Sequence, residues 1–172
     1  MSGPPSTDVP IIVMGVSGSG KSRVAKACSK RWGYVYIEAD DLHSAEAIAK
    51  MASGHPLDDA DRLPWLRRVG ELIREEQSIG RRTVTACSAL KRAYRDILRE
   101  YAPDAFFVML DRPFDVVQAR VESRHHSFMP AALLESQYEA LEPLEPDESG
   151  IRIDLSSARD VVRAIGSALE KR

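Results

Sequence analysis

The feature that most constrains this chain is the glycine-rich run GVSGSGKS at residues 15–22. It matches the pattern G-x-x-x-x-G-K-[ST] at every fixed position, and it directly follows an apolar stretch, residues 11–14, that is typical of a buried strand. Glycines allow the backbone to curl so that several N–H groups face one anion, and the following helix adds its positive N-terminal end. The sequence therefore predicts a strand, a phosphate-binding loop and a helix in succession.

Every residue of this loop is a candidate ligand of ATP. The backbone N–H groups would surround the phosphates, Lys21 would reach the β- and γ-phosphates, and the Ser22 hydroxyl would bind Mg²⁺. The candidate nucleotide-binding residues are Gly15, Val16, Ser17, Gly18, Ser19, Gly20, Lys21 and Ser22. ATP and Mg²⁺ are thus the expected cofactors, and Lys21 is also a catalytic candidate.

Apolar β-rich runs alternate with helical patterns along the rest of the chain. The predicted strands are residues 11–14, 34–37, 83–87, 106–110 and 151–154. The predicted helices are residues 22–32, 45–51, 61–77, 92–101 and 131–141, with two more carrying Phe114 to Val121 and Val161 to Leu169. Apolar strands separated by helices predict an α/β fold, in which helices cover both faces of a parallel sheet. Ligands bind such sheets at the carboxyl ends of the strands, where the motifs fall.

Length and charge narrow the class of protein. The 172 residues suit one domain spanning the whole chain, with residues 1–9 as a disordered lead. A formal net charge of −2 argues against a general electrostatic attraction to nucleic acid or to an anionic membrane. The sequence has no apolar run of roughly 18 residues and no signal peptide, which predicts a cytoplasmic protein. Cys28 and Cys87 lack metal or redox spacing and are expected to be buried and reduced.

Acidic side chains follow the second predicted strand, in the run Glu38-Ala39-Asp40-Asp41. A carboxylate at this place would face the γ-phosphate, where it would accept a proton from an attacking hydroxyl group or help to hold Mg²⁺. The third strand ends without an acid, and Asp111 after the fourth is expected to cap a helix, with Pro113 in the first turn. Asp40 is therefore the favoured catalytic carboxylate and a second candidate Mg²⁺ ligand.

Two arginines close the helix after the fourth strand. Arg120 and Arg124 are four residues apart, so one helical face is expected to carry both. On a lid at about residues 120–137, they would neutralise the charge of the transferring phosphoryl group, as catalytic residues. The neighbouring His125 and His126 cannot both face one point from a helix, so a metal site is not expected there.

The segment between the second and third strands, residues 43–66, is expected to form a cap on the acceptor side. Gly54 and Pro56 would end its first helix, and Asp58 or Asp59 would cap the next. Arg62 then falls in the first turn, where a cation opposes the helix dipole. This unfavourable placement suggests a functional use, such as a fork for a substrate carboxylate.

These blocks resemble the gluconate kinase family, within the larger group of kinases shaped like shikimate and nucleoside-monophosphate kinases. The resemblance runs from Ile11 to about Glu148 and rests on GVSGSGKS, on Asp40 with His43, and on the blocks KMASGHPLDDADRLPWL, ACSALKRAYRDILR and FMPAALLESQYEALEP. It implies transfer of the γ-phosphate of ATP to the 6-hydroxyl group of D-gluconate, on a five-stranded parallel sheet with a lid, and often as a homodimer. The acceptor-binding residues that it implies are His43, Lys50, Arg62, Ser88, Lys91 and Arg92.

The chain departs from the family pattern at four positions, where Ala39, Ser44, Ala47 and Ser127 replace the usual Gly, Pro, Asn and His. These differences bear on the acceptor preference and on the lid contact. A kinase for a related sugar acid, a shikimate or nucleotide kinase, and a non-catalytic ATP-binding regulatory module are the alternatives. The acidic segment EPLEPDE, residues 142–148, receives no role from its sequence.

Overall fold

The computed structural model describes residues 5, 8–124, 133–154 and 156–172, in which one or two α-helices follow each of five strands, seven helices in all. The strands are β1 (Ile11–Met14), β2 (Val35–Glu38), β3 (Thr83–Ala86), β4 (Phe106–Leu110) and β5 (Gly150–Ile153). The helices are α1 (Lys21–Trp32), α2 (Ala45–Ala52), α3 (Asp59–Ser78), α4 (Arg92–Tyr101), α5 (Phe114–Glu122), α6 (Leu134–Ala140) and α7 (Ala158–Leu169). A 3₁₀ turn (Ala39–Leu42) follows β2 directly.

The strands form one parallel sheet in the order β2-β3-β1-β4-β5. The central strand β1 pairs on both sides, so that Ile12 lies opposite Thr85 of β3 and Phe107 of β4. Every residue of β1, β3 and β4 is buried, as expected for strands covered on both faces. The predicted α/β fold with a five-stranded parallel sheet is confirmed, and the carboxyl ends of β1, β2 and β3 meet at one edge.

Each face of the sheet carries its own apolar core. Helices α1 and α7 cover one face, where Val24, Cys28, Val161 and Ile165 pack against the strands. Helices α3 and α4 cover the other face with a second set, which includes Trp65, Leu66, Ile73 and Leu98. Both cysteines are buried free thiols, as predicted, and burial raises the pKa of each to about 12. None of the helices in the described part of the chain is long and apolar enough to cross a membrane.

Several predicted boundaries shift by one or two residues, but one prediction about a cap is wrong. Asp111 does not cap α5, because Pro113 occupies the N-cap position and the helix begins at Phe114. Asp111 therefore lies too early in the chain for its side chain to reach the first free N–H groups. Its carboxylate accepts a hydrogen bond of 2.8 Å from Arg152 Nε of β5 instead.

Candidate active site

The loop between β1 and α1 has the backbone that its glycines permit. Gly15, Gly18 and Gly20 all have positive φ angles, of 144°, 78° and 100°. A Cβ atom at Gly15 would lie 2.9 Å from Ser19 Oγ and 3.0 Å from the Leu110 carbonyl oxygen, so only glycine fits there. Ser19 Oγ is buried and has no hydrogen-bond partner among the described residues. A phosphate oxygen entering the loop would fit this unsatisfied hydroxyl group.

Lys21 is the first residue of α1, and its side chain turns back over the loop. Its Nζ donates a hydrogen bond of 2.9 Å to the Val16 carbonyl oxygen. Burial lowers the pKa of Lys21, although the Asp40 carboxylate acts in the opposite direction. The Asp40 side chain keeps 44% of its surface exposed, and its partial burial raises the pKa of this carboxyl group against the effect of Lys21. The charges of Lys21, the predicted phosphate-binding lysine, and Asp40, the predicted catalytic carboxylate, therefore interact with each other.

Glu38 is a site residue that the sequence analysis did not select. Ser22 Oγ donates a hydrogen bond of 2.5 Å to Glu38 Oε2, and the Tyr36 hydroxyl donates to the same oxygen. Glu38 belongs to the acidic run at the end of the second predicted strand, from which Asp40 is the favoured carboxylate, and in the structure β2 continues through Glu38. An acid at the last position of a strand beside the phosphate loop was the signal available.

His43 packs against Trp65 and lies next to Asp40. Its ring stacks on Trp65 with 4.2 Å between the centroids, and its Nε2 is 3.9 Å from Asp40 Oδ1. Burial, followed by the nearby Arg62 and Arg68, lowers the pKa of His43 to about 4. The imidazole is therefore neutral at pH 7. Its Nδ1 has no hydrogen-bond partner in the described part of the chain, so a polar group of a ligand would fit it.

A cavity of about 220 Å³ lies between the start of α3, the start of α4 and helix α6. Arg62 and Lys91 are its cations, and the Arg62 guanidinium lies 5.6 Å from the centre of the Tyr94 ring. Asp59 Oδ1 accepts hydrogen bonds from Lys91 Nζ at 3.1 Å and from the Tyr94 hydroxyl at 2.5 Å. The lining residues are Pro56, Leu57, Asp58, Asp59, Arg62, Lys91, Tyr94, Ser136, Gln137 and Ala140. The cavity therefore combines two cations, two carboxylates and several hydrogen-bonding side chains, which together can hold a small molecule rich in hydroxyl groups.

Gln137 of α6 joins this cavity to the phosphate loop. Its Oε1 accepts a hydrogen bond of 2.6 Å from the backbone N–H of Ser17, and the residue is 5% exposed. The contact spans 120 positions of sequence. Gln137 lies in the block FMPAALLESQYEALEP, but that block does not reveal this contact, because the partner is 120 positions away.

The other predicted acceptor residues have different surroundings. Lys50 Nζ pairs with Asp61 Oδ2 at 2.5 Å, within the capping box that Asp58 and Asp61 form at the start of α3. Ser88 lies at the carboxyl end of β3, and its carbonyl oxygen accepts a hydrogen bond of 3.2 Å from the Gly15 N–H. Arg92 pairs with Asp147 at 2.9 Å and lies outside the residues that line the cavity.

The expectation of one helical face for Arg120 and Arg124 is wrong. Helix α5 ends at Glu122, so Arg124 lies beyond it in the following turn. Arg124 nevertheless acts on the phosphate loop, since its charge adds to the effect of burial in lowering the pKa of Lys21. Residues 125–132 of the predicted lid, which include His125, His126 and Ser127, lie outside the described residues.

The acidic groups near Ser22 suit a magnesium ion that phosphate oxygens also hold. Within residues 8–124, 133–154 and 156–172, no three His, Cys, Asp or Glu side chains form a cluster able to enclose a metal. Mg²⁺ in nucleotide sites commonly has only one or two protein ligands, with water and phosphate oxygens filling the remaining positions. Ser22 and Asp40, with Glu38 bonded to Ser22, fit that pattern.

Comparison with known proteins gives a consistent picture. The family profile described as an AAA domain matches residues 11–144. The chain is 44% identical to the thermosensitive gluconokinase of Escherichia coli K12 over 146 residues, which are 84% of this chain and 78% of that protein. It superimposes on a sugar kinase from Janibacter sp. HTCC2649 with a TM-score of 0.89 at 45% identity, covering 94% of both chains. A gluconokinase from Sinorhizobium meliloti 1021 gives a TM-score of 0.84 at 42% identity, covering 95% of this chain and 93% of that one.

Proposed function

The chain belongs to the gluconokinase family, and from this premise we propose that it transfers the γ-phosphoryl group of ATP to the 6-hydroxyl group of D-gluconate. The products are 6-phospho-D-gluconate and ADP. The observation that carries the proposal is the position of the cavity, because Gln137 on its wall accepts a hydrogen bond of 2.6 Å from the Ser17 N–H of the phosphate loop. In this proposal, an acceptor bound in the cavity would lie next to the γ-phosphate held by the loop.

Gluconate carries one carboxylate and a row of hydroxyl groups, and the cavity offers a partner for each kind. The guanidinium of Arg62 and the ammonium of Lys91 are the cations for the carboxylate, because charge-assisted hydrogen bonds are the strongest available. The Asp59 carboxylate provides an oxygen acceptor for hydroxyl groups. His43, Lys50, Ser88 and Arg92 remain predicted acceptor residues on the strength of the family resemblance.

The transfer needs positioning and charge more than covalent chemistry by the protein. Lys21 holds the β- and γ-phosphates, and Asp40 accepts the proton of the 6-hydroxyl group as its oxygen attacks the γ-phosphorus. Arg120 and Arg124 balance the negative charge of the transferring group. Ser22 and Asp40 would hold Mg²⁺, which would supply positive charge that offsets the charge of the phosphates.

The remaining predictions stand as parts of the same proposal. The chain is one kinase domain with an acceptor-side cap at residues 43–66 and a lid at about residues 120–137. The cap has a small apolar cluster of its own, in which Ala47, Met51 and Leu57 contact Leu133 at the start of α6. We expect the protein to act in the cytoplasm, without nucleic acid or membrane partners, and to form a homodimer.

The test is acceptor-dependent release of ADP in the presence of Mg²⁺. The panel contains D-gluconate, 6-deoxy-D-gluconate, other aldonic and uronic acids, shikimate, AMP and no acceptor. We expect turnover with D-gluconate, none with the 6-deoxy compound, and loss of turnover in Lys21→Ala. Asp40→Asn should lower kcat by about 100-fold or more, the usual scale of general-base catalysis, with ATP binding largely kept.

Each other outcome would change the assignment. Turnover with another sugar acid would keep the kinase and correct the acceptor. Binding of ATP without turnover on any acceptor would favour a regulatory module. An unchanged kcat in Asp40→Asn would remove Asp40 as the base.

A further inference from the structure

Arg95, in the middle of α4, is a charged side chain with no exposure to solvent. Its guanidinium makes two parallel hydrogen bonds to the Glu148 carboxylate, from Nε to Oε1 at 2.7 Å and from Nη2 to Oε2 at 2.8 Å. Both side chains are 0% exposed. Burying two charges is costly unless their remaining donors and acceptors are also satisfied. The other hydrogen bonds of this pair therefore show how the protein tolerates the buried charges.

The remaining donors of Arg95 all reach backbone carbonyl oxygens. Nη1 donates to the carbonyl oxygens of Ala89, Leu90 and Glu142, each at 3.2 Å. Nη2 donates to the carbonyl oxygen of Pro143, also at 3.2 Å. One side chain therefore holds two segments, residues 89–90 and 142–143, that are distant in the sequence.

The first of these segments is held in a strained conformation. Ala89 has a φ angle of 41°, the only positive value at a non-glycine residue in the described chain. A left-handed alanine persists only where surrounding contacts impose it. Arg95 supplies one such contact, and the Glu142 N–H donates a further bond of 2.8 Å to the Leu90 carbonyl oxygen.

Both segments lead directly into the proposed site. Residues 88–91 connect the phosphate loop, through the Ser88 carbonyl oxygen, to Lys91 on one wall of the cavity. Residues 142–143 follow the end of α6, which carries Gln137 on another wall and against the Ser17 N–H. Arg95 therefore sets the distance between two walls of the acceptor cavity without lining it.

The acidic segment at residues 142–148 completes this arrangement. Glu148 also accepts hydrogen bonds from Arg99 and, at 2.8 Å, from the backbone N–H of Glu145. Arg92 contacts Glu145 and Asp147, and its backbone N–H donates to Glu142 Oε2 at 2.6 Å. We name the set of Arg92, Arg95 and Arg99 with Glu142, Glu145, Asp147 and Glu148 the arginine–acid clamp.

We propose that Arg95 is a positioning residue for phosphoryl transfer, and that the arginine–acid clamp fixes the acceptor cavity relative to the phosphate loop. Arg95 touches neither substrate and acts through Lys91 and Gln137. This inference rests on the proposed function, because it concerns the acceptor half of that site. The ATP half is supported separately, since Lys21 and Ser22 belong to α1, which packs on the opposite face of the sheet.

The experiment compares Arg95→Lys and Glu148→Gln with the native protein. Lysine keeps the charge but loses the fork, and glutamine keeps the shape but loses the charge. We expect KM for D-gluconate to rise about tenfold and kcat to fall severalfold, the scale of loss that follows a small misplacement of a bound reactant. KM for ATP should stay within about twofold, because Lys21 and Ser22 belong to α1, which packs on the other face of the sheet.

The control is Val161→Ala, which removes buried side-chain volume on the α1 and α7 face, away from the clamp. It is compared with the clamp variants at temperatures equally far below each Tm. An equal rise in KM for gluconate in Val161→Ala would mean that the effect is general destabilisation and would overturn the proposal. An unchanged KM for gluconate in both clamp variants would also overturn it.

A second readout does not depend on the identity of the acceptor. Amide hydrogen exchange should become faster at Leu90, Lys91 and Glu142 in Arg95→Lys, with α1 unchanged. Exchange equal to that of the native protein would overturn the clamp. Faster exchange in a protein that shows no gluconate turnover would instead locate the failure in the proposed function.

Discussion

The surroundings of individual residues in this site shift their pKa values away from the ordinary ones. Burial lowers the pKa of Lys21 and raises the pKa of Asp40. Burial also lowers the pKa of His43, whose ring stacks on Trp65, so that this imidazole is neutral at pH 7. Perturbed groups that converge on one crevice are typical of catalytic sites. The types of these residues were readable from motifs, but their ionisation depends on burial, which the sequence did not show.

Arg62→Ala should separate the two substrates of the kinase. Loss of a charged hydrogen-bond donor costs about 1.5–3 kcal/mol, so KM for gluconate should rise on the order of 10- to 100-fold. KM for ATP should change by less than about threefold. Arg67→Ala, an exposed arginine of the same helix, is the matched control. Steady-state kinetics measure both KM values. Equal effects on the two would show that Arg62 does not bind the carboxylate of gluconate.

His43 makes stability depend on pH in a defined window. Its pKa is about 4 in the folded protein, below the ordinary 6.5, so the unfolded chain binds more protons between these values. Its contribution is therefore complete above pH 6.5 and declines as the pH falls toward 4, by up to about 3 kcal/mol. Urea unfolding of His43→Gln should show a weaker decline than the native protein over this range. Exposed His55→Gln is the control, and a decline as steep as the native one in His43→Gln would contradict the assignment.

At the scale of elements, strands and helices were largely predictable, whereas contacts between them were not. The pattern of apolar residues located all five strands within one or two positions, because burial on both faces leaves continuous apolar runs. Asp111 and Arg124 were misplaced because a helix boundary moved by a few residues. Gln137 and Arg95 both lie in blocks that carry the family resemblance, but their contacts were not predictable, because their partners lie 120 and 53 positions away in the sequence.

The space around two helical glycines, Gly70 of α3 and Gly166 of α7, predicts opposite effects of substitution by alanine. A Cβ atom at Gly70 would lie 2.4 Å from Tyr101 Cδ2, whereas at Gly166 of α7 it would lie 3.4 Å from Trp32. Gly70→Ala should therefore destabilise the protein by about 1–3 kcal/mol through overpacking. Gly166→Ala should stabilise it by about 0.5–1 kcal/mol, because alanine restricts the unfolded chain and favours the helix. Thermal unfolding measures both, and stabilisation by Gly70→Ala would show that the two helices separate easily.

At the scale of the whole molecule, the arginine–acid clamp connects the last third of the chain to the middle one. Glu148 illustrates the effect on stability. Burial alone would raise the pKa of this carboxyl group, but the hydrogen bonds from Arg95 and Arg99 outweigh burial and lower its pKa to about 2. The Glu148 carboxylate should therefore remain charged well below neutral pH.

Acid should weaken the whole fold through this carboxyl group. Because the folded pKa of Glu148 is about 2 and the ordinary value is 4.5, its stabilisation is complete above pH 4.5 and is lost as the pH falls toward 2. Glu148→Gln should be less stable than the native protein by about 3–5 kcal/mol at pH 7, the cost of breaking a buried pair. That gap should shrink below pH 4.5 in urea titrations, and a gap that is constant with pH would contradict the shift. Glu170→Gln, at the exposed end of α7, controls for the loss of one carboxyl group.

The strand order has a consequence for how the protein is made. β1 is the first strand to be synthesised, yet its two neighbours are β3 and β4, with Ile11 paired to Val84 and Phe106. The ribosome adds about 5–20 residues per second, so roughly 5–20 s pass before the second neighbour exists. During that interval the phosphate loop has no completed sheet to rest on. We therefore expect the nascent chain to bind nucleotide only late, after most of its residues have left the ribosome.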